Sequence, residues 1–132
     1  MQRDMDLIRE LLLKLEALDI PPGVGRLISP YAPELAIENA TPDDIKHHLH
    51  MLVSGDLVVT GGSIQFLSDG SLSFRQLSWA GRDFLDSVRS PEVWANTKKG
   101  AVAAGGFTVE ILKELAKGLV KKQIEEFTGV KL

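Results

Sequence analysis

The sequence contains no cysteine, which excludes disulfides, thiol nucleophiles, thiolate zinc sites and iron–sulfur clusters together. It has no apolar run near the ~18 residues that a membrane-spanning helix needs, so a water-soluble protein is expected. Positive charge is not in excess either. Fifteen Lys and Arg stand against 18 Asp and Glu, a formal net charge of −3 with a pI near 5.6, so any attraction to nucleic acid or anionic lipid must come from local patches. The opening MQRDMDLIRE alternates charged and apolar residues and lacks a basic segment leading into an apolar one. It is therefore not a secretory signal, and a cytoplasmic location is expected.

Catalytic signatures are missing as well. There is no Gly-x-Ser-x-Gly elbow, and the pairs Gly61-Gly62 and Gly105-Gly106 lack both the Walker lysine and dinucleotide-binding spacing. Asp83 and Asp86 stand three apart near Arg82 and Arg89, a pattern of solvated ion pairs rather than of paired catalytic acids. These absences lead to the expectation of a non-enzymatic protein without cofactor.

What remains is a chain of 132 residues, 44% hydrophobic and 25% charged, long enough to bury one ordinary core. Ile8, Leu11, Leu12, Leu15 and Leu18 recur at helical spacing, with Leu13 nearly opposite them. Four of the six prolines then fall between Asp19 and Ala40, so a long loop is expected there, with a short extended piece at Glu34 to Ile37. Thr41-Pro42-Asp43-Asp44 carries the marks of a helix start. Projected at 100° per residue, the helix that follows gathers Ile45, Leu49, Leu52 and Val53 on one side, with His48 at the margin and His47, His50 and Met51 on the far side.

Gly55 should end that helix. DLVVT, SIQFL and LSFRQL, separated by glycine-containing turns, read as a small antiparallel meander. Ser78 should cap a helix from Trp79 to Arg89 with Phe84, Leu85 and Val88 inward, and Ser90-Pro91-Glu92 should restart the chain as a short helix around Trp94. KKGAVAAGG reads as a flexible joint. A final helix capped by Thr108 has Phe107 and Leu112 placed as a hydrophobic staple, and an apolar stripe of Leu112, Leu115, Ala116, Leu119, Val120 and Phe127. On this reading residues 1–100 form the domain, and residues 101–132 a hinge with a helix that packs on the domain or on a dimer partner.

All three histidines lie between His47 and His50. His47 and His50 are neighbours on a helix, but the zinc-protease pattern requires histidines four apart with a glutamate between them. That spacing is absent, so no metal site is expected. The order of elements, a capped helix, a glycine turn into a strand, a hairpin and a strand running into another helix, is that of a winged helix. IKHHLHMLVSGDLVV is similar to the I-x-x-H-L-x-x-L-x-x-x-G-L-V pattern of many winged-helix regulators, and LSWAGRDFL resembles their L-T-x-x-G-x-x-F-L.

Together with the opening MQRDMDLIR, the segments around His48-Leu49 and Leu52, Gly55 to Val58, Leu77 with the Trp-x-Gly-x-x-Phe-Leu-Asp run from Trp79 to Asp86, Arg89 and Trp94, and the Gly-Gly plus amphipathic helix from Gly105 onward resemble a family of small bacterial and phage proteins known as a domain of unknown function. Ala80 stands where that family usually has glutamate, and Arg82 where it often has histidine. The resemblance implies an α+β, mostly α fold: a winged helix-turn-helix-like domain with a small β wing and an added C-terminal amphipathic helix.

Two functional readings follow. Double-stranded DNA would meet Lys46, His47, His50 and Met51 on the exposed side of the helix and Arg75 on the wing strand. Against this, residues 41–70 hold one cation, Lys46, and four acids, Asp43, Asp44, Asp56 and Asp69. Arg3, Arg9, Lys98 and Lys99 would have to help, the more so in a homodimer that doubled the basic surface. The alternative is a protein-docking module, which the adaptable His-His-Met face also suits.

Overall fold

The computed structural model describes residues 2–104, 106 and 108–131. The fold is mixed α+β and mostly helical, with one small antiparallel sheet, and the chain forms two compact units, Met1–Arg82 and Asp83–Leu132.

The first unit opens with α1 (Met5–Glu16), whose N-cap Asp4 accepts the Asp6 and Leu7 amides on its carboxylate. Ile8, Leu11, Leu12 and Leu15 are buried as their spacing requires, and Met5 and Leu7 join them. Leu13 is half-buried, and Leu18 lies beyond the helix end. The proline-rich segment contains more structure than a loop. Arg26–Ile28 forms strand β1, whereas Pro33–Leu35 is a 3-10 turn and not the extended piece expected nearby. Pro33 holds φ in the helical range and the turn seats Leu35 fully in the core.

Helix α2 (Pro42–Ser54) starts at a complete capping box. The Thr41 hydroxyl accepts the Asp44 amide at 3.1 Å, and the Asp44 carboxylate accepts the Thr41 amide at 2.9 Å. That carboxyl is held below its ordinary 3.8, first by the Thr41 backbone bond. Gly55 caps the end of α2 as expected, with φ −87°, and the left-handed residue is the next one, Asp56 (φ 57°).

Strands β2 (Val58–Thr60) and β3 (Leu72–Leu77) pair antiparallel with a bulge at Val59/Thr60, and β1 pairs with the other edge of β3, giving the order β1-β3-β2. The expected meander is therefore corrected. Residues 63–67 form no strand of their own and contribute one isolated bridge, Phe66 to Leu72, with the Ser73 amide donating to the Gln65 carbonyl at 2.9 Å, while β1 takes the other edge of β3.

Helix α3 (Trp79–Val88) begins where Ser78 clamps it to the turn after α2. The Ser78 amide donates to the Leu57 carbonyl at 3.0 Å, its hydroxyl donates to the Asp56 carbonyl at 2.6 Å, and Ser78 Oγ in turn accepts the Gly81 amide at 3.0 Å. Gly81 then passes so close to the preceding turn that a Cβ would sit 2.0 Å from the Leu57 carbonyl oxygen.

The boundary between the units falls within α3. The second unit contains the rest of that helix, α4 (Pro91–Ala104) and α5 (Val109–Thr128). Its buried side chains include Phe84, Leu85, Val88, Val93, Trp94, Ala101, Leu112 and Ala116. Residues 98–104, read from their small side chains as a joint, are helical. Thr108 caps α5 as expected, its hydroxyl accepting the Ile111 amide at 3.1 Å, while Gly105 and the Phe107 half of the staple lie outside the described residues. Asp83 and Lys113 form an ion pair at 3.8 Å. No helix among the described residues is long and apolar enough to cross a membrane.

Gly81→Ala should lower stability by about 1–3 kcal/mol despite alanine's better helix propensity, because the added methyl has to displace the Leu57 backbone. Urea denaturation checks this, and an unchanged or raised midpoint would refute the close approach.

Candidate interaction surface of α2 and the 61–71 loop

The three histidines divide between core and surface. His48 is 1% exposed. Its Nδ1 donates to the Asp44 carbonyl at 2.7 Å and its Nε2 accepts the Asp4 amide at 2.9 Å, the pattern of a neutral ring with the proton on Nδ1. His48 is therefore a structural group that fastens the start of α1 to the first turn of α2. The margin position expected from the helix projection becomes an interior one because α1 lies against that side.

His47 and His50 face outward with Lys46, and Met51 is half-buried. The loop between β2 and β3 folds back onto part of this face. The Phe66 ring stacks on His50 with centroids 3.6 Å apart and planes 10° from parallel. The Lys46 stem crosses Gly70, where a Cβ would lie 3.1 Å from its Cδ and Cε. Gly70 can take φ 88° in the turn closed by Asp69, whose carboxylate accepts the Ser71 amide at 2.9 Å. That backbone bond is the main reason the Asp69 carboxyl is held below 3.8, with Lys46 a minor contributor. His50 is pushed below 6.5, first by burial and then by Lys46 and His47. Phe66, the loop's anchor on α2, was not identifiable from a segment whose alternation resembled a strand.

Arg75 occupies a different surface. It alternates with the buried Phe74 and so points from the outer face of the sheet, into a shallow cleft of about 470 Å³ that it shares with Arg26, Ser73, Gly25 and Gly61. The glycines let the chains close up there, since a Cβ on Gly61 would meet Ser73 Oγ at 3.1 Å and Arg75 Cγ at 3.3 Å. Arg26, in the segment expected to be a loop, pairs with Glu34 at 3.6 Å. Arg9, named as a helper cation, is instead buried and paired with Glu10 at 3.1 Å. Among the described residues no three His, Asp or Glu side chains are grouped to hold a metal ion.

Residues 2–107 match the family described as "Hypothetical protein (DUF2513)", and the chain belongs to it. An uncharacterised protein of Haemophilus influenzae strain Rd is 27% identical over 126 residues, spanning 94% of this chain and 99% of that protein. No solved structure gives a significant match.

His48→Ala should cost about 2–4 kcal/mol, since it leaves a cavity and two unmatched backbone groups, whereas His47→Ala should stay within about 0.5 kcal/mol. Equal losses in thermal unfolding would contradict this division. A second expectation concerns pH. Just below 6.5 the unfolded chain holds more protons at His50 than the folded chain does, so the contribution of this site is complete above 6.5 and declines as pH falls through that window. An NMR titration should find the His50 midpoint below 6.5, moving back towards it in Phe66→Ser; no response to that substitution would mean the stack does not set it.

Proposed function

We propose that this family member is a non-enzymatic winged-helix module that binds double-stranded nucleic acid, with α2 as the recognition helix and the 61–71 loop as the wing. The observation that carries this reading is the order α1, β1, 3-10 turn, α2, β2, long loop, β3, combined with the sheet order β1-β3-β2. The 3-10 turn stands where a helix-turn-helix has its middle helix. The His50–Phe66 stack ties the loop to the helix as a wing requires. His47 would reach base edges, and Lys46, together with Arg75 and Arg26 beside the wing strands, would contact phosphates.

A second reading, docking to another protein, is favoured by charge and exposure. Residues 2–82 hold seven Lys and Arg against eleven Asp and Glu, and Leu27, Tyr31 and Trp79 are 57%, 70% and 83% exposed.

Fluorescence anisotropy with a labelled random-sequence duplex distinguishes the two. Binding should weaken log-linearly with salt, and Arg75→Glu and Lys46→Glu should each weaken it and flatten the slope. No binding at low ionic strength would reject the nucleic-acid reading in favour of docking.

A further inference from the structure

Arg75 is exposed, but its stem is seated rather than loose. A Cβ on Gly25, just ahead of β1, would lie 3.7 Å from its Cγ, and one on Gly61, just after β2, would lie 3.3 Å from it. Gly61 is itself pinned: its amide donates to the Ser73 carbonyl at 2.9 Å, and its carbonyl accepts the Ser73 hydroxyl at 3.0 Å. Among the described residues the Arg75 guanidinium has no ion-pair or hydrogen-bond partner. A surface arginine whose stem is already fixed loses less freedom when it binds.

The cleft beside it is electropositive in an otherwise acidic unit. Arg26 and Arg75 both line it and no carboxylate does, although acids outnumber cations eleven to seven over residues 2–82. The contact of Arg26 with Glu34, at 3.6 Å and nearly half exposed on both sides, is a weak surface pair that an incoming anion can replace. Gly23 and Gly62 line the same cleft with φ of 79° and 101° and have nothing within 4 Å of the place a Cβ would take, so no side chain shields the main chain there. Leu27 is the one apolar side chain in the lining, which favours a polar ligand. Two guanidinium forks match the three oxygens and near-double charge of a phosphate monoester better than the two oxygens and single charge of a carboxylate.

We propose that this cleft is a phosphate-binding site, with Arg75 as its fixed fork, Arg26 as its second cation and the bare main chain at Gly62 closing its rim. The site shares its arginines with the nucleic-acid reading but does not require that reading. The phosphate belongs either to a strand or to a free phosphate ester, and the test separates the two.

The full chain, isotopically labelled, is titrated with inorganic phosphate at constant ionic strength and followed by NMR of its amides and arginine Nε groups. Gly25, Gly61, Gly62 and the Arg75 Nε should shift together along one saturable curve. Arg75→Gln should weaken binding about tenfold or more, and Arg26→Gln about threefold or more. Glu34→Gln, which releases Arg26, should tighten it about two- to fivefold. Lys117→Gln, at an exposed lysine of α5, should leave it unchanged. Shifts that never saturate, or an affinity indifferent to either arginine substitution, overturn the site. Saturable phosphate binding with no binding of the random-sequence duplex assigns the group to a free ester and rejects only the nucleic-acid reading. A duplex displaced by phosphate over the same concentration range assigns the group to the strand. Duplex binding without phosphate binding overturns the cleft and leaves the nucleic-acid reading standing.

Discussion

A buried imidazole holds the first unit in register. His48 spans two backbone groups, the Asp44 carbonyl on its own helix and the Asp4 amide at the head of α1. Both of its nitrogens are used, so it lies in the core without an unmet polar atom. Asp4 is itself the cap of α1, so one side chain couples the start of one helix to the first turn of the next. This bond sets the rotation of α2, turning Leu49 and Leu52 into the core and leaving Lys46, His47 and His50 on the outside.

A second constraint is steric. Ser78 and Gly81 bring the start of α3 onto the backbone of Asp56 and Leu57, and the approach leaves no room for a Cβ. Here a glycine inside a helix, ordinarily a cost in conformational entropy, is what allows close contact. The Trp-x-Gly-x-x-Phe-Leu-Asp segment that carried the family resemblance thus has a physical basis. Its glycine is a contact point, its Phe84 and Leu85 are fully buried, and its Trp79 stands in solvent.

The surfaces left over pull in different directions. The order of elements favours nucleic acid, while the acid excess and the exposed aromatics favour protein. Cations are few and scattered: Lys46 runs beneath the loop, Arg75 and Arg26 occupy the outer face of the sheet, and Arg9 is spent on Glu10.

What could be read from the sequence by itself was local. The start of α2 at Thr41, the cap of α5 at Thr108, the buried stripe of α1 and the mostly helical α+β class all follow from side chains acting on backbone within one or two turns. Tertiary structure decided what depends on residues distant in the chain. It selected β1 over residues 63–67 as the third strand, sent Phe66 to His50, buried one histidine of three, and left Phe127 exposed at the end of a stripe whose spacing matched a core. Periodicity specifies that a face is apolar, but what that face meets depends on contacts between segments distant in the chain, which no short window contains.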